Sequence, residues 1–345
     1  MSGDAAGALE IRVEGRAGRI TLTRPEALNA LSHAMIAPIS AALDAWRADP
    51  AVALVLFDAA GDRAFCAGGD IAEVYAYGRR GAFDIAQRFW ADEYRMDARV
   101  ARYPKPIVTL AQGFVMGGGV GIAGNAGYRI VGESSRVAMP ECAIGLIPDV
   151  GGSQLLAKAP GRLGEYLGLT GHRMDAGEAI HCGFADSFVP LSDWPRLTAD
   201  LRDGDPAAIR AYSVAPPSSA LPGLRDPIDD AFSAPDLATL AARLEASDWG
   251  HGVLKILRRQ CPLSMACTLA LVRAARAEPG IERALAREYR FTYRASSEGE
   301  FLEGVRAAII DKDRAPRWRD EIDEVNSASV ARMLAPLGPD ELVLA

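Results

Sequence analysis

Apolar and polar residues alternate over Leu9–Val13 and again over Arg19–Thr23, on either side of Gly15-Arg16-Ala17-Gly18, which predicts a β-hairpin. Ser32 then precedes a helical period, with Met35, Ile39, Leu43 and Trp46 on one face, so a helix is expected to about Ala48. Val52–Phe57 is a continuous apolar run, the mark of a strand buried on both faces. A Gly turn at 61–69 follows, and Asp70–Glu73 has the spacing of a capping box. A long helix is expected over about 82–102, closed by Pro104 and Pro106, with Ile107–Leu110 as the next buried strand. The order strand, Gly turn, helix then recurs, which indicates α/β architecture.

The pattern changes after about residue 190. Ser213–Pro227 holds four prolines and reads as a hinge. Beyond Pro235 the period is helical, clearest at Pro262–Arg276, Ile281–Ala295 and Glu298–Ile310. The expected organisation is a core over 1–195 and a helical extension over 196–345.

With 49% hydrophobic and 24% charged residues and a net charge of -7, the chain has ordinary globular composition and no general basic face for nucleic acid or a membrane surface. Five cysteines form no C-x-x-C pair, and four histidines show no ligand spacing, so reduced thiols and no metal site are expected. The first residues lack a basic start and an apolar core, so no secretory leader is expected and the compartment is read as cytoplasmic. Residues from Pro106 to Tyr128 carry no charge, but seven glycines with Gln112 and Asn125 make them a poor membrane span and a better strand, turn and short helix.

The chemistry concentrates in three places. Glu141 and Asp149 stand eight residues apart among apolar residues, Gly and Pro, and acids are seldom buried without a partner or a task. Asp149, between Pro148 and Val150-Gly151-Gly152, also fits a helix N-cap. Two Gly-rich turns, Phe65-Cys66-Ala67-Gly68-Gly69-Asp70 and Met116-Gly117-Gly118-Gly119-Val120-Gly121, can aim backbone N–H groups at one oxygen. Glu93 is a third candidate acid, against the alternative of an exposed helix charge. Gly119–Gly124 matches a dinucleotide fingerprint, yet no strand ending in an acid follows at the right distance, so a nicotinamide-dependent oxidoreductase is a lesser reading.

These two turns and Met139–Gly152 resemble the crotonase (enoyl-CoA hydratase/isomerase) superfamily, and within it the 3-hydroxyisobutyryl-CoA hydrolases. The likeness continues in Thr170–Met174, Glu303–Ala307 and Ile310–Asp313, and covers nearly the whole chain. It implies a spiral of β-β-α turns with a helical C-terminal region and an acyl-CoA thioester substrate. Ala67 and Gly118 match the oxyanion-hole donors, Glu141 the catalytic glutamate and Asp149 the hydrolase aspartate. Glu93, Gly117, Gly68 and Asp70 match substrate-binding positions. Arg24 and Arg63 are candidate cations for the coenzyme A phosphates. Hydratases of the superfamily carry a second glutamate where this chain has Gly121, which favours thioester hydrolysis, a step of valine breakdown. The resemblance implies that Glu141 acts either as general base or as nucleophile forming an anhydride. No cofactor beyond the substrate's coenzyme A is implied, and a homo-oligomer is one open state. The alternatives are a hydratase or isomerase of the same superfamily and an acyl-CoA-binding protein without catalysis.

Overall fold

The chain passes back and forth between two sheets. The computed structural model describes residues 7–344; the first six residues, read above as carrying no leader, and Ala345 lie outside it. Among the described residues the strands are β1 (Leu9–Glu14), β2 (Ala17–Leu22), β3 (Leu54–Ala59), β4 (Ala64–Cys66), β5 (Ile107–Leu110), β6 (Phe114–Met116), β7 (Tyr128–Val131), β8 (Arg136–Ala138) and β9 (Ser187–Phe188). One sheet has the order β1-β2-β3-β5-β7-β9 and the other β4-β6-β8. β1 and β2 form the expected hairpin, Leu9 facing Leu22, and every other pairing is parallel. Each pair β3/β4, β5/β6 and β7/β8 thus gives one strand to each sheet, which is one turn of a spiral.

Residues divide by contact into two units. One holds residues up to Asp70 with Asp92–Ala138 and Arg173–Ala220; the other holds Ile71–Ala91, Met139–His172 and the residues from Leu221 on. The single cut expected near residue 195 is not the line along which contacts divide, because Met139–His172 packs with late helices rather than with the strands that precede it.

In the first unit, strand periodicity sets the core. Leu54 and Leu56 share a face with Ala17, Val108, Leu110 and Ile130, and this face is closed by Leu197 and Leu201 of the helix Trp194–Leu201. The third strand starts at Leu54 rather than Val52, because Val52 still donates to the Asp49 carbonyl in the preceding turn. The uncharged stretch becomes β5, β6 and the helix Gly118–Asn125, and no described helix is long and apolar enough to cross a membrane.

The second unit is helical. Pro262–Ala277 packs on Gly152–Lys158 and Leu163–Thr170, and Ile281–Ala295 packs on Gly152–Lys158. A fully buried carboxylate, Glu165, takes Arg276 at 2.6 Å and Arg162 at 2.9 Å. Burial pushes its pKa up, but these guanidiniums outweigh it and hold the group below its ordinary value. The last expected helix begins at Phe301 rather than Glu298, because Glu298 and Gly299 donate back to Arg294 and close the previous helix.

Backbone approach gives a first test. A Cβ on Gly119 would overlap the Cys66 carbonyl oxygen, whereas one on Gly127 finds only the Ile107 carbonyl at 3.9 Å. Gly119→Ala is expected to cost about 1–3 kcal/mol in urea unfolding, the usual penalty of overpacking, and Gly127→Ala under about 0.5 kcal/mol. Equal effects would show that the approach at Gly119 is not a constraint.

Candidate active site

Parallel pairing of β4 with β6 brings the ends of both strands, and hence both Gly turns, to the same edge of the small sheet. The turns touch. A Cβ on Gly68, whose φ is +114°, would lie 3.6 Å from the Met116 carbonyl oxygen and 3.9 Å from Gly117 Cα. Gly117 itself holds φ 47° and ψ -123°, a conformation that L side chains rarely adopt, and caps the helix Gly118–Asn125. Its carbonyl accepts from Val120 at 2.7 Å and Gly121 at 3.0 Å. As the first residue of that helix, Gly118 has an N–H with no acceptor inside it, at the positive end of the dipole.

Ala67 does not supply the second donor. Its N–H already donates to the Leu28 carbonyl at 3.1 Å. The segment runs beside Leu31: Leu31 donates to the Gly68 carbonyl and Asp70 to the Leu31 carbonyl, both at 2.9 Å. In such an extended pairing successive N–H groups point to opposite sides. The Gly69 N–H is thereby turned away from Leu31, and among the described residues it makes no backbone hydrogen bond. Gly69 therefore replaces Ala67 as the candidate donor. Sequence reasoning missed it because the register of 28–31 against 67–70 leaves no local signal.

Glu93 reaches the same turn. It is 2% exposed, against the alternative of a solvated helix charge, and its Oε1 occupies the space a Cβ on Gly118 would need. Cys66 lies beneath; burial pushes its thiol up to about 12, with the Glu93 charge adding to the rise, so it stays protonated. Asp70 is held by Arg24 at 3.1 Å, and Arg24 also donates to the Ala30 carbonyl at 2.9 Å, so both of these candidates spend charge on each other. Arg63 is exposed.

The other two acids belong to the helical unit. Glu141, 5% exposed, opens the short turn Glu141–Ile144, which closes on Gly145 at φ +72°. Late helices clamp this turn. Cys261 donates to the Cys142 carbonyl at 2.8 Å, and a Cβ on Gly304 would overlap the Ile144 backbone. Asp149, 4% exposed, begins a tighter turn in which Val150 has φ +53° and Gly151 φ +83°.

Asp149 is not the side-chain cap of the next helix. That helix, Gly152–Lys158, has Gly151 as its N-cap, and the carboxylate at its start is Glu288. Glu288 accepts from Gly151 N at 2.8 Å, Ser153 N at 2.9 Å and Ser153 Oγ at 2.5 Å. It lies 137 residues beyond Gly151, inside an ordinary amphipathic period, and only its place on the buried face of Ile281–Ala295 could have drawn notice. Burial raises its pKa to about 7; the hydrogen bonds oppose the rise and the Asp149 charge adds to it. Among the described residues no group of three or more His, Cys, Asp or Glu is placed to hold a metal ion.

The profile of the enoyl-CoA hydratase/isomerase family matches residues 17–334. The chain is 33% identical to a mitochondrial 3-hydroxyisobutyryl-CoA hydrolase of Gallus gallus, over 99% of this chain and 92% of that one. It is 37% identical to 3-hydroxyisobutyryl-CoA hydrolase 1 of Arabidopsis thaliana, over 87% and 83%. A solved structure from Rhodobacter sphaeroides 2.4.1, described as an enoyl-CoA hydratase, superposes with TM-score 0.94 at 55% identity, covering 97% of this chain and 99% of that one.

The titration of Glu288 generates a test. Its pKa rises from 4.5 to about 7 on folding, so between these values the folded chain holds more protons than the unfolded one. The stability this group contributes is full below the lower value and is lost as pH rises through the upper one. Glu288→Gln cannot titrate. The stability of the parent chain relative to Glu288→Gln, from urea unfolding, is expected to fall between about pH 5 and about pH 8; a rise over that range contradicts the assignment.

Proposed function

The chain belongs to the enoyl-CoA hydratase/isomerase family, and from that premise we propose that it hydrolyses 3-hydroxyisobutyryl-CoA to 3-hydroxyisobutyrate and coenzyme A, a step of valine breakdown. Relatives named for that activity align with it over most of their length, which supports the reading. The observation that carries it is the set of acids. Glu141 and Asp149 are both buried, while position 121, where hydratases of the superfamily carry a second glutamate, is a buried glycine.

In this reading the N–H groups of Gly69 and Gly118 hold the thioester oxygen. Such donors act on charge that develops only as the carbonyl carbon becomes tetrahedral, and losing one typically costs about 3–4 kcal/mol of transition-state stabilisation. Glu141 takes the proton of the attacking water, or attacks the carbonyl itself and is then released by water. The carbon–sulfur bond breaks as the carbonyl re-forms, and coenzyme A leaves as thiolate and takes up the proton. Asp149 orients the substrate hydroxyl or the water. Glu93, beside Gly118, and the glycines at 68 and 117 shape the acyl end, while Asp70 braces its turn through Arg24. The five thiols, all free and buried, fit a reducing compartment; the cytoplasm remains the proposal, and the Gallus gallus relative is named as mitochondrial.

A second reading, hydration of an enoyl-CoA double bond, is favoured by the description of the Rhodobacter sphaeroides structure. The two separate by product. Free thiol is expected to appear with 3-hydroxyisobutyryl-CoA, and Glu141→Gln is expected to lower kcat by roughly 10²–10⁴. Loss of the enoyl chromophore of crotonyl-CoA without thiol release from the hydroxyacyl substrate would establish the hydratase instead.

A further inference from the structure

We propose that Glu288 is a positioning residue for Asp149, holding the turn 149–153 in the one backbone conformation that presents the Asp149 carboxylate for catalysis; this rests on the role given to Asp149 above. The turn does not favour its own shape. Val150 is β-branched yet sits at φ +53°, and Gly151 follows at φ +83°. Strained backbone of this kind persists only where the surroundings over-determine it.

A buried carboxylate contributes to that here. Glu288, itself fully buried, accepts from the amides of Gly151 and Ser153, the first and third after Val150, at 2.8 Å and 2.9 Å, and from the Ser153 hydroxyl at 2.5 Å. A second tie fixes the distance between the two helices: Gly280, the cap of the helix that carries Glu288, donates to Gln154 Oε1 at 2.7 Å. The internal bond from Gly152 to the Asp149 carbonyl, at 2.6 Å, then locks the residue that bears the functional group. Both carboxylate oxygens are used, one by Gly151 and the other by Ser153. A carboxamide has one acceptor and one donor, so it must turn an N–H toward one of these amides and lose that bond.

The test is a double-mutant cycle on thiol release from 3-hydroxyisobutyryl-CoA, with thermal unfolding recorded for every variant. Glu288→Gln is expected to lower kcat on the order of 10²-fold, the scale of an ångström-level misplacement, with KM changed less than about three-fold. In an Asp149→Asn background the same change is expected to have under about two-fold effect, because its target is already gone. Ser153→Ala, which removes one of three bonds and threatens folding less, should show the same dependence at smaller size, and Glu288→Asp should recover part of the loss. Equal fold-losses on both backgrounds, or a loss that follows melting temperature alone, would overturn the positioning role. If Asp149→Asn is itself near parent activity, the proposal falls with its premise, and a parent chain that releases no thiol ends the hydrolase reading from which both descend.

Discussion

Two backbone turns approach more closely than side chains allow, and the chemistry of the first unit depends on that approach. β4 and β6 pair in parallel, so the turns that leave them run side by side; Gly68 lies against Met116 and Gly117, and Gly119 against Cys66. With any larger residue at Gly119 the strands would part, and the Gly118 N–H would move with its helix. Glycine is required here for room at 119 and for positive φ at 68 and 117. The same crowding fixes Glu93, which fills the space left by the missing Cβ of Gly118.

The helical unit solves a different problem, the burial of acids. Taking an ionised carboxylate out of water costs several kcal/mol unless donors replace the lost hydration. Glu165 is answered by two guanidiniums and stays charged below its ordinary pKa. Glu288 is answered by neutral amides and a hydroxyl beside another acid, and its pKa climbs to about 7. One carboxylate is therefore a structural ion pair and the other a neutral-pH hinge pin for the turn that carries Asp149. Glu141 sits on a turn held from behind by Cys261 and by the close approach of Gly304.

Much of this was legible in the chain. Ile107–Leu110 and Ile281–Ala295 are the elements their apolar patterns predict, and Glu141 and Asp149 are as buried as their apolar neighbours suggest, whereas for Glu93 the sequence left burial and exposure open and the fold buries it. What stayed hidden was set at long range. β4, β6 and β8 are three residues each, too short for an alternation to appear, yet they form the sheet whose edge bears both Gly turns. The choice between Ala67 and Gly69 as donor is made by pairing with Leu28–Leu31, which no local motif records. Glu288 looks like any acid on an amphipathic helix until the fold brings it to Gly151 and Ser153.

The central claim is that the amides of Gly69 and Gly118 take the thioester oxygen of an acyl-CoA. Isotope-edited infrared spectroscopy of a carbonyl-labelled thioester bound to the Glu141→Gln chain reads that contact directly. Two donors on the oxygen polarise the bond, so the carbonyl stretch is predicted to move to lower frequency than in water. A stretch at or above the solution value would mean that the oxygen meets no such donors, and the account of the site would fail.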